Sequence, residues 1–546
     1  METEKHPTTA APAAQAAPST PSAPAFIRPM MTSRQIWLVM VGLLLAMFLA
    51  VLDQTVVGTA MYTIVRDLDP RNGLSHLPWV ITAYLLTSTA TQPLYGKISD
   101  IYGRKKIFTL AIVLFLFGSA LAGLSHNLTQ LIAFRAVQGL GAGGLMSLAM
   151  ATIGDMVAPR ERGKYTGLFG IVFGVGSVLG PLVGGYLTEP HAFLWLTTNW
   201  RWVFYINLPV GLLALAVIEK VLHLPKNVRK HRIDYLGSGL IVAGASALLL
   251  LTEWGGQQYA WGSPVILGLG AAAALLTATF LWHESRTPEP ILDTRLFKNG
   301  VFNVATPVLF IMGAALFGSL VYVSLYFQIV NGLGPTQAGL HLVPMTLGMI
   351  PVSIIVGRVI AKTGRYKMFP VAGMALITIA MVLLGRLTVG TGSWTISAEL
   401  FLLGMGMGMV MQVVTMAVQN AIPPQEMGAG TAATGFFRSL GGAVGSAGFG
   451  ALLTSQLAHR LAQHAAAGPA KVSIQNAAAI HQLPAAAQQV VFEAFTKSTN
   501  VVFLTAAALC GIGFVCTLFL PERPLRSHQD DKNMQVAAQS QATESI

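Results

Sequence analysis

Apolar runs of about 20 residues recur along nearly the whole chain, with short polar segments between them. A run of that length crosses the ~30 Å hydrocarbon core as a helix. About fourteen such spans are predicted, near 36–62, 77–95, 106–124, 130–153, 165–188, 203–222, 235–252, 264–283, 302–328, 336–359, 369–388, 395–418, 428–453 and 499–520. Lipid supplies no hydrogen bonds to backbone, so spanning segments must be helices or a closed barrel. These runs are too long for barrel strands and lack their strict alternation. The pattern predicts an all-α polytopic membrane protein.

Composition agrees. Of 546 residues, 53% are hydrophobic and 10% charged; soluble domains carry roughly 25% charged residues. The net charge of +12 does not indicate a nucleic-acid partner, because the basic residues sit in short loops between spans. One set of loops carries Lys97, Arg104, Lys105 and Lys106, then Arg160, Arg162 and Lys164, then Arg358, Lys362, Arg365 and Lys367. The alternate loops at 124–128, 255–263 and 331–335 carry no Lys or Arg. The rich side is expected to be cytoplasmic, and an even span count puts both termini there. Residues 1–33 and 523–546 lack apolar runs and read as disordered cytoplasmic tails. Cys510 and Cys516 lie six apart in one span, too badly placed to pair with each other.

The chain is duplicated. Gly96 to Lys106 reads GKISDIYGRKK and Gly357 to Lys367 reads GRVIAKTGRYK, with Gly-Arg seven residues after the first Gly in both. Gly139, Gly141 and Gly143 match Gly404, Gly406 and Gly408. In the same register Gly176, Gly180 and Gly185 match Gly441, Gly445 and Gly450. Spans 1–6 thus correspond to spans 9–14. The expected organisation is an N-terminal six-helix half over 34–224, two inserted helices over 225–290, and a C-terminal six-helix half over 291–522. A long extracytoplasmic loop is expected at 454–498. Its end, 485–497, reads either as an amphipathic helix lying on the membrane or capping the mouth, or as a plain linker.

These residues resemble the major facilitator superfamily, and more narrowly its fourteen-helix drug:proton antiporters. Gly96, Asp100, Gly103 and Arg104 resemble the superfamily's signature between spans 2 and 3. Gly176, Gly180, Pro181, Gly184 and Gly185 resemble the span-5 motif of its exporters. The segment from Trp200 through Asn207 to Gly211, the Arg438-x-x-Gly441-Gly442 run, and Leu52-Asp53-x-Thr55-Val56-Val57 resemble the fourteen-helix branch. Gly58 and Tyr62 stand where that branch has Asn and Pro. The resemblance implies the major facilitator fold and alternating access. It further implies that Asp100 and Arg104 latch a cytoplasmic gate, and that spans 1 and 4 line a central cavity. The echo of the signature has Ala361 in place of Asp100, so the latch is expected to be asymmetric.

Asp53 is the only acidic residue well inside a span of either half. A charge in lipid costs at least ~2.5–3.5 kcal/mol. Asp53 is therefore a candidate for proton coupling or for attracting a cationic compound, with a permanent structural ion pair as the alternative. Arg135 in span 4 is its natural partner, and Gln138 shares that helix face. Arg438, in span 13, has no acidic mate in its own span and is a candidate for coupling, carbonyl pairing or lipid contact. Asp155 is expected to make a cap or gate salt bridge. The methionines of span 12 (Met405 to Met416) and the aromatics Phe317, Tyr322 and Tyr326 are read first as packing and second as ligand surface.

The chain carries no GxxxxGK[ST] phosphate loop, which argues against an ATP-driven pump. Its histidines show no metal spacing. The expectation is a transporter rather than an enzyme, without cofactor or metal. It is expected to act as a monomer in a bacterial inner membrane, with hydrophobic compounds, protons and lipids as partners. The leading reading is proton-coupled antiport of hydrophobic or cationic drugs. Export of a lipid or self-made antibiotic, or a non-transporting receptor, are the alternatives.

Overall fold

The computed structural model describes residues 33–69, 73–157, 159–188, 192–193, 196–222, 234–256, 258–287, 290–292, 294–423, 426–463, 484–523 and 525. Most of both predicted tails and the basic segment 223–233 lie outside the described residues.

The N-terminal half comprises α1 (Ser33–Leu68), α2 (Gly73–Tyr102), α3 (Arg104–Gly123), α4 (Leu128–Met156), α5 (Pro159–Thr188), α6 (Trp202–Tyr205) and α7 (Asn207–Val221). The inserted pair is α8 (Tyr235–Trp254) and α9 (Pro264–Glu284). The C-terminal half runs through α10 (Gly300–Ile329), α11 (Pro335–Leu340), α12 (Val343–Thr363), α13 (Met368–Leu384), α14 (Ser393–Ala421), α15 (Met427–Gln463) and α16 (Ala485–Leu518). Among the described residues the only strands are an antiparallel pair of two residues each, β1 (Ala192–Phe193) and β2 (Leu196–Thr197).

Ten helices among the described residues are long and apolar enough to cross a membrane. The long helices outside that set, α2, α5 and α15, are rich in Gly, Ser and Thr. They form the seams between the halves, where helix meets helix and not lipid, so small residues serve better than large apolar ones. The most enclosed spans are α4 and α14, each with 72% of its most apolar window buried, whereas α9 has 17%. Helix α9 packs mainly on α8 and turns Leu267, Leu275 and Trp282 outward, as a lipid-facing helix should.

Packing repeats with the sequence. Helix α4 packs on α2 and α3, as α14 packs on α12 and α13. Helix α1 packs on α5 and α7, as α10 packs on α15 and α16. Each half has its own apolar core, two clusters in the first half and one in the second. The halves meet along two seams, α2 with α15 and α5 with α12, which are related by the same duplication. The inserted α8 touches both α2 and α15 and so covers one of the two seams.

The duplicated loops share a backbone device. Gly103 (φ +94°) breaks α2 from α3, and Gly364 (φ +72°) ends α12. Both lie in the left-handed region where a side chain is strained, which accounts for the Gly-Arg step in each copy.

The expected outer loop at 454–498 is shorter than predicted. Helix α15 continues to Gln463, and 485–497 is the first part of α16, continuous with span 14. Leu453, Leu457, Val491, Ala494 and Phe495 are buried. Apolar contact between the two extensions holds them helical beyond the length a bilayer requires.

Candidate functional site

Asp53 sits in the middle of α1 and is fully buried. Three donors reach its carboxylate. Arg135 Nη1 stands 2.5 Å from Oδ2, Gln138 Nε2 2.9 Å from Oδ1, and Asn207 Nδ2 2.9 Å from Oδ1. Arg135 Nη1 also donates to Gln138 Oε1 at 2.8 Å, its Nε faces Val80 O at 3.4 Å, and its Cζ lies 4.2 Å from the Tyr84 ring centre. A buried ion pair holds only when the remaining polar atoms are also satisfied, and here they come from α1, α2, α4 and α7.

Helix packing brings these groups together. A Cβ at Gly118 would stand 2.5 Å from Gln138 N, and one at Gly139 would stand 2.5 Å from Tyr84 O. The bare backbone lets α4 press onto α3 and α2 and carry Arg135 and Gln138 against α1. Asn207 opens α7 just after the short α6. The preceding residues are pinned: Trp200 Nε1 donates to Asp67 Oδ2 at 2.8 Å, and Arg201 Nη1 donates to Gly123 O and Ser125 O at 2.8 and 2.6 Å. Asn207 Nδ2 also reaches Ser119 Oγ at 3.0 Å. Asn207 stands inside the Trp200 to Gly211 motif, yet nothing local in the sequence ties it to an aspartate 154 positions away.

A second cluster lies on the basic face. Arg104 is buried and binds two carboxylates, Asp100 at 2.5 Å and Asp155 at 2.6 Å, and it also donates to Ser99 Oγ. Asp100 reaches across to the other half and accepts from Gly428 N at 3.2 Å and Ala429 N at 3.1 Å, in the first turn of α15. Those amides are unpaired within their own helix and carry its positive end. Burial pushes the Asp100 carboxyl up to about 6, against the opposing pull of Arg104. Helices α2 and α15 touch backbone to backbone here: a Cβ at Gly96 would lie 2.5 Å from Gly428 O. Farther along the contact of α2 with α15, Gln92 Nε2 donates to Ser439 Oγ at 3.2 Å, and between α14 and α4 Gln419 Nε2 donates to Met150 O at 3.1 Å. Among the described residues, no ion pair of Arg365 in the echo matches that of Arg104. Arg365 is exposed, and Tyr366 binds the segment that follows α16, its N–H donating to Glu522 Oε1 at 3.1 Å and its hydroxyl to Pro521 O at 3.0 Å.

The sequence profile of the Major Facilitator Superfamily matches residues 43–446. The chain belongs to the major facilitator superfamily. It is 37% identical over 521 residues to an uncharacterized MFS-type transporter of Mycobacterium tuberculosis, covering 94% of this chain and 74% of that protein. It is 34% identical over 536 residues to the multidrug transporter protein MdtP of Bacillus subtilis, covering 93% and 97%. Multidrug resistance protein 3 of the same organism is 33% identical over 494 residues, covering 88% and 94%. Among solved structures, the proton:xylose symporter XylE of E. coli superposes with a TM-score of 0.62 at 14% identity, over 92% of this chain and all of the other. The human organic anion transporter MFSD10 gives 0.60 at 16%, covering 88% and 99%. These two likenesses establish the fold alone.

Within this transporter the span-5 motif meets α1. Thr55 Oγ1 donates to Gly176 O at 3.1 Å, a Cβ at Gly176 would lie 2.6 Å from Val51, and one at Gly180 would strike Thr55. Gly184 is buried, and Gly185 has open space around it, so close packing explains Gly176 and Gly180 but not Gly185. Pro181 lies within α5, and its side chain is outside the described residues. Tyr322 and Tyr326 are buried and spend their hydroxyls on Ser446 O and Thr388 O, each at 2.6 Å. Met407, Met411 and Met416 are buried in the core of the second half. Packing accounts for all of these. Arg438 Nη2, on α15, lies 2.9 Å from Met146 Sδ on α4, across the interface between the halves.

Proposed function

We propose that this transporter exports hydrophobic, drug-like compounds in exchange for protons, by alternating access across a bacterial inner membrane. The Lys- and Arg-rich face carrying Arg104 is then cytoplasmic, with both termini on that side. Two relatives named as multidrug transporters, at 33–34% identity over most of the chain, support the substrate class.

One observation carries the coupling: a fully buried carboxylate, Asp53, held by donors from two other helices. While ionised, Asp53 ties α1 to Arg135 and Gln138 on α4 and to Asn207 on α7. A proton on Asp53 removes the charge that holds Arg135, and a protonated oxygen no longer accepts from the donor aimed at it. Proton uptake therefore loosens α1 from α4 and α7, and proton release restores the junction. The sealed geometry favours protons over direct attraction of a cationic drug at Asp53, because Arg135 already cancels its charge at 2.5 Å.

The latch of Asp100, Arg104 and Asp155 on Gly428 and Ala429 closes the cytoplasmic side in this state. Opening inward requires α2 and α15 to part, and the backbone contact of Gly96 with Gly428 to break.

The test is transport in proteoliposomes with an imposed pH gradient. The wild-type protein should move protons in response to substrate and accumulate substrate against its gradient. Asp53→Asn should abolish both while reaching the membrane in normal amount. Proton-coupled accumulation that survives Asp53→Asn would overturn the assignment. No substrate-dependent proton movement across a broad compound panel would favour a receptor over an antiporter.

A further inference from the structure

Helix α15 is buried on every side from Met427 to Thr434, where it meets α2. Over the next turn, Gly435 to Ser439, each residue is half-buried, and burial resumes at Leu440. Helix α4 shows a matching break: Met146 is half-buried between buried Leu145 and Ser147. The two breaks face each other, since Arg438 Nη2 lies 2.9 Å from Met146 Sδ. Beside them Gln92 Nε2 donates to Ser439 Oγ at 3.2 Å.

One side of α15 is pressed on α10. A Cβ at Gly445 would stand 2.6 Å from Ala314 Cα, and one at Gly441 would stand 2.6 Å from the Phe310 carbonyl carbon. Arg438 shares the side of Gly441 and Gly445 (i, i+3, i+7), and its long side chain reaches across to Met146 in the opposite half. It lies ten residues along α15 from Gly428, about 15 Å above the latch. Met146 lies eleven residues below Arg135 on α4, about 16 Å. Arg438 thus occupies the level between the proton site and the cytoplasmic latch, on the interface that must open and close.

Among the described residues no carboxylate pairs with Arg438. A thioether is a weak acceptor and cannot neutralise a guanidinium. Asp53 contributes no free charge here, being paired with Arg135. The uncompensated charge on the interface between the halves is therefore positive. A cation at this depth is costly unless something pairs with it.

Resting on the export reading above, we infer that Arg438, with Gln92, Ser439 and Met146, is the subsite for the negatively charged group of an amphipathic aromatic substrate. The exported compounds are then organic anions, carboxylates or sulfonates, and not cations. The planar guanidinium fork suits two acceptor oxygens. Phe436 and Phe437, half-buried with ring centres 5.6 Å apart, and the adaptable Met146 supply apolar surface for the rest of the molecule.

The experiment is equilibrium binding to the purified full-length transporter in phosphatidylcholine nanodiscs, without a proton gradient and with empty discs subtracted. The probes are 1-anilinonaphthalene-8-sulfonate and N-phenyl-1-naphthylamine, which share their rings and differ by the sulfonate. The wild type should prefer the sulfonate by about 10-fold or more. Arg438→Gln should erase that preference while leaving the neutral probe's affinity unchanged. Arg438→Lys should keep part of it, because a point charge replaces the fork. Met146→Glu keeps the arginine and supplies an internal carboxylate, and should erase the preference as Arg438→Gln does. Equal affinity for the two probes in the wild type would overturn the inference. So would an unchanged ratio in both Arg438→Gln and Met146→Glu. Repeating the series in phosphatidylglycerol discs separates the two sources of an anion. A retained preference supports the small-molecule site, whereas its loss would assign Arg438 to a lipid headgroup. Binding is read without a gradient, so failure of proton-coupled export and failure of this subsite give different results.

Discussion

Gly428→Ala should open the cytoplasmic latch. A Cβ at this position would stand 2.5 Å from Asp100 Oδ1 and from Gly96 O, where ordinary contact begins at 3.4 Å. Gly96 O is backbone in the middle of the α2 contact, so it cannot swing aside as a side chain would. Restoring contact distance requires the helices to part by about 0.9 Å. The amides of Gly428 and Ala429 now lie 3.2 and 3.1 Å from Asp100, and that displacement carries both beyond hydrogen-bonding range. Hydrogen bonds to a charged group contribute ~1.5–3 kcal/mol, and overpacking adds ~1–3 kcal/mol. Partial relaxation leaves about 2–3 kcal/mol, which shifts the closed-to-open ratio by about 30- to 150-fold. Alanine's gain in helix propensity, ~1 kcal/mol, applies to both conformers and cancels. The assay is a distance distribution between spin labels at Tyr102 and Arg365, one exposed site on each half, in a background lacking Cys510 and Cys516. The variant should populate longer distances than the wild type. Gly448→Ala on the same helix, with open space around it, should not. An unchanged distribution in Gly428→Ala would refute the claim that backbone contact at this point holds the cytoplasmic side shut.

Gly96→Ala should act in the same direction in that assay, because its Cβ would meet Gly428 O at 2.5 Å. The same labels can follow pH. Asp100 in the closed state titrates near 6, raised by burial, whereas a water-exposed aspartate titrates near ~3.9. The closed state therefore holds its proton more tightly, and the closed fraction should rise as pH falls from about 7 to 5. Asp100→Asn should make that fraction independent of pH in this range, and a slope that persists would point to another group. Asn207→Leu removes one donor from Asp53 and one from Ser119 Oγ, so thermal unfolding of the purified protein should report a loss of ~1–3 kcal/mol. An unfolding temperature equal to the wild type would mean that water replaces the amide.

Much of the architecture is legible in the chain itself. Long apolar runs require helices because lipid leaves the backbone no other partner. The duplicated loops announce two equivalent halves, and the Gly-Arg step marks Gly103 and Gly364, which take positive φ in both. Asp53 stands out because a carboxylate deep in an apolar span needs a reason, and Arg135, about two turns into α4, is the nearest candidate for its charge. The loop between α15 and α16 is less legible in the chain, because its helical extensions owe their form to contact with each other and not to local pattern.

Only the tertiary structure decided which charges remain free. Asn207 joins Asp53 through a helix break whose position depends on Trp200 and Arg201 finding partners on α1 and on the turn after α3. Asp100 and Arg104 are recognisable in sequence, but their partners, two backbone amides of α15 and Asp155, lie 51 to 329 positions away. Arg438 looks like any isolated arginine in its span until the fold places it opposite Met146, with no carboxylate among the described residues beside it. Burial along one helix can be read from the chain because it depends on neighbours three and four residues apart. Compensation of a buried charge depends on which distant helices arrive within about 3 Å, and that is settled by packing.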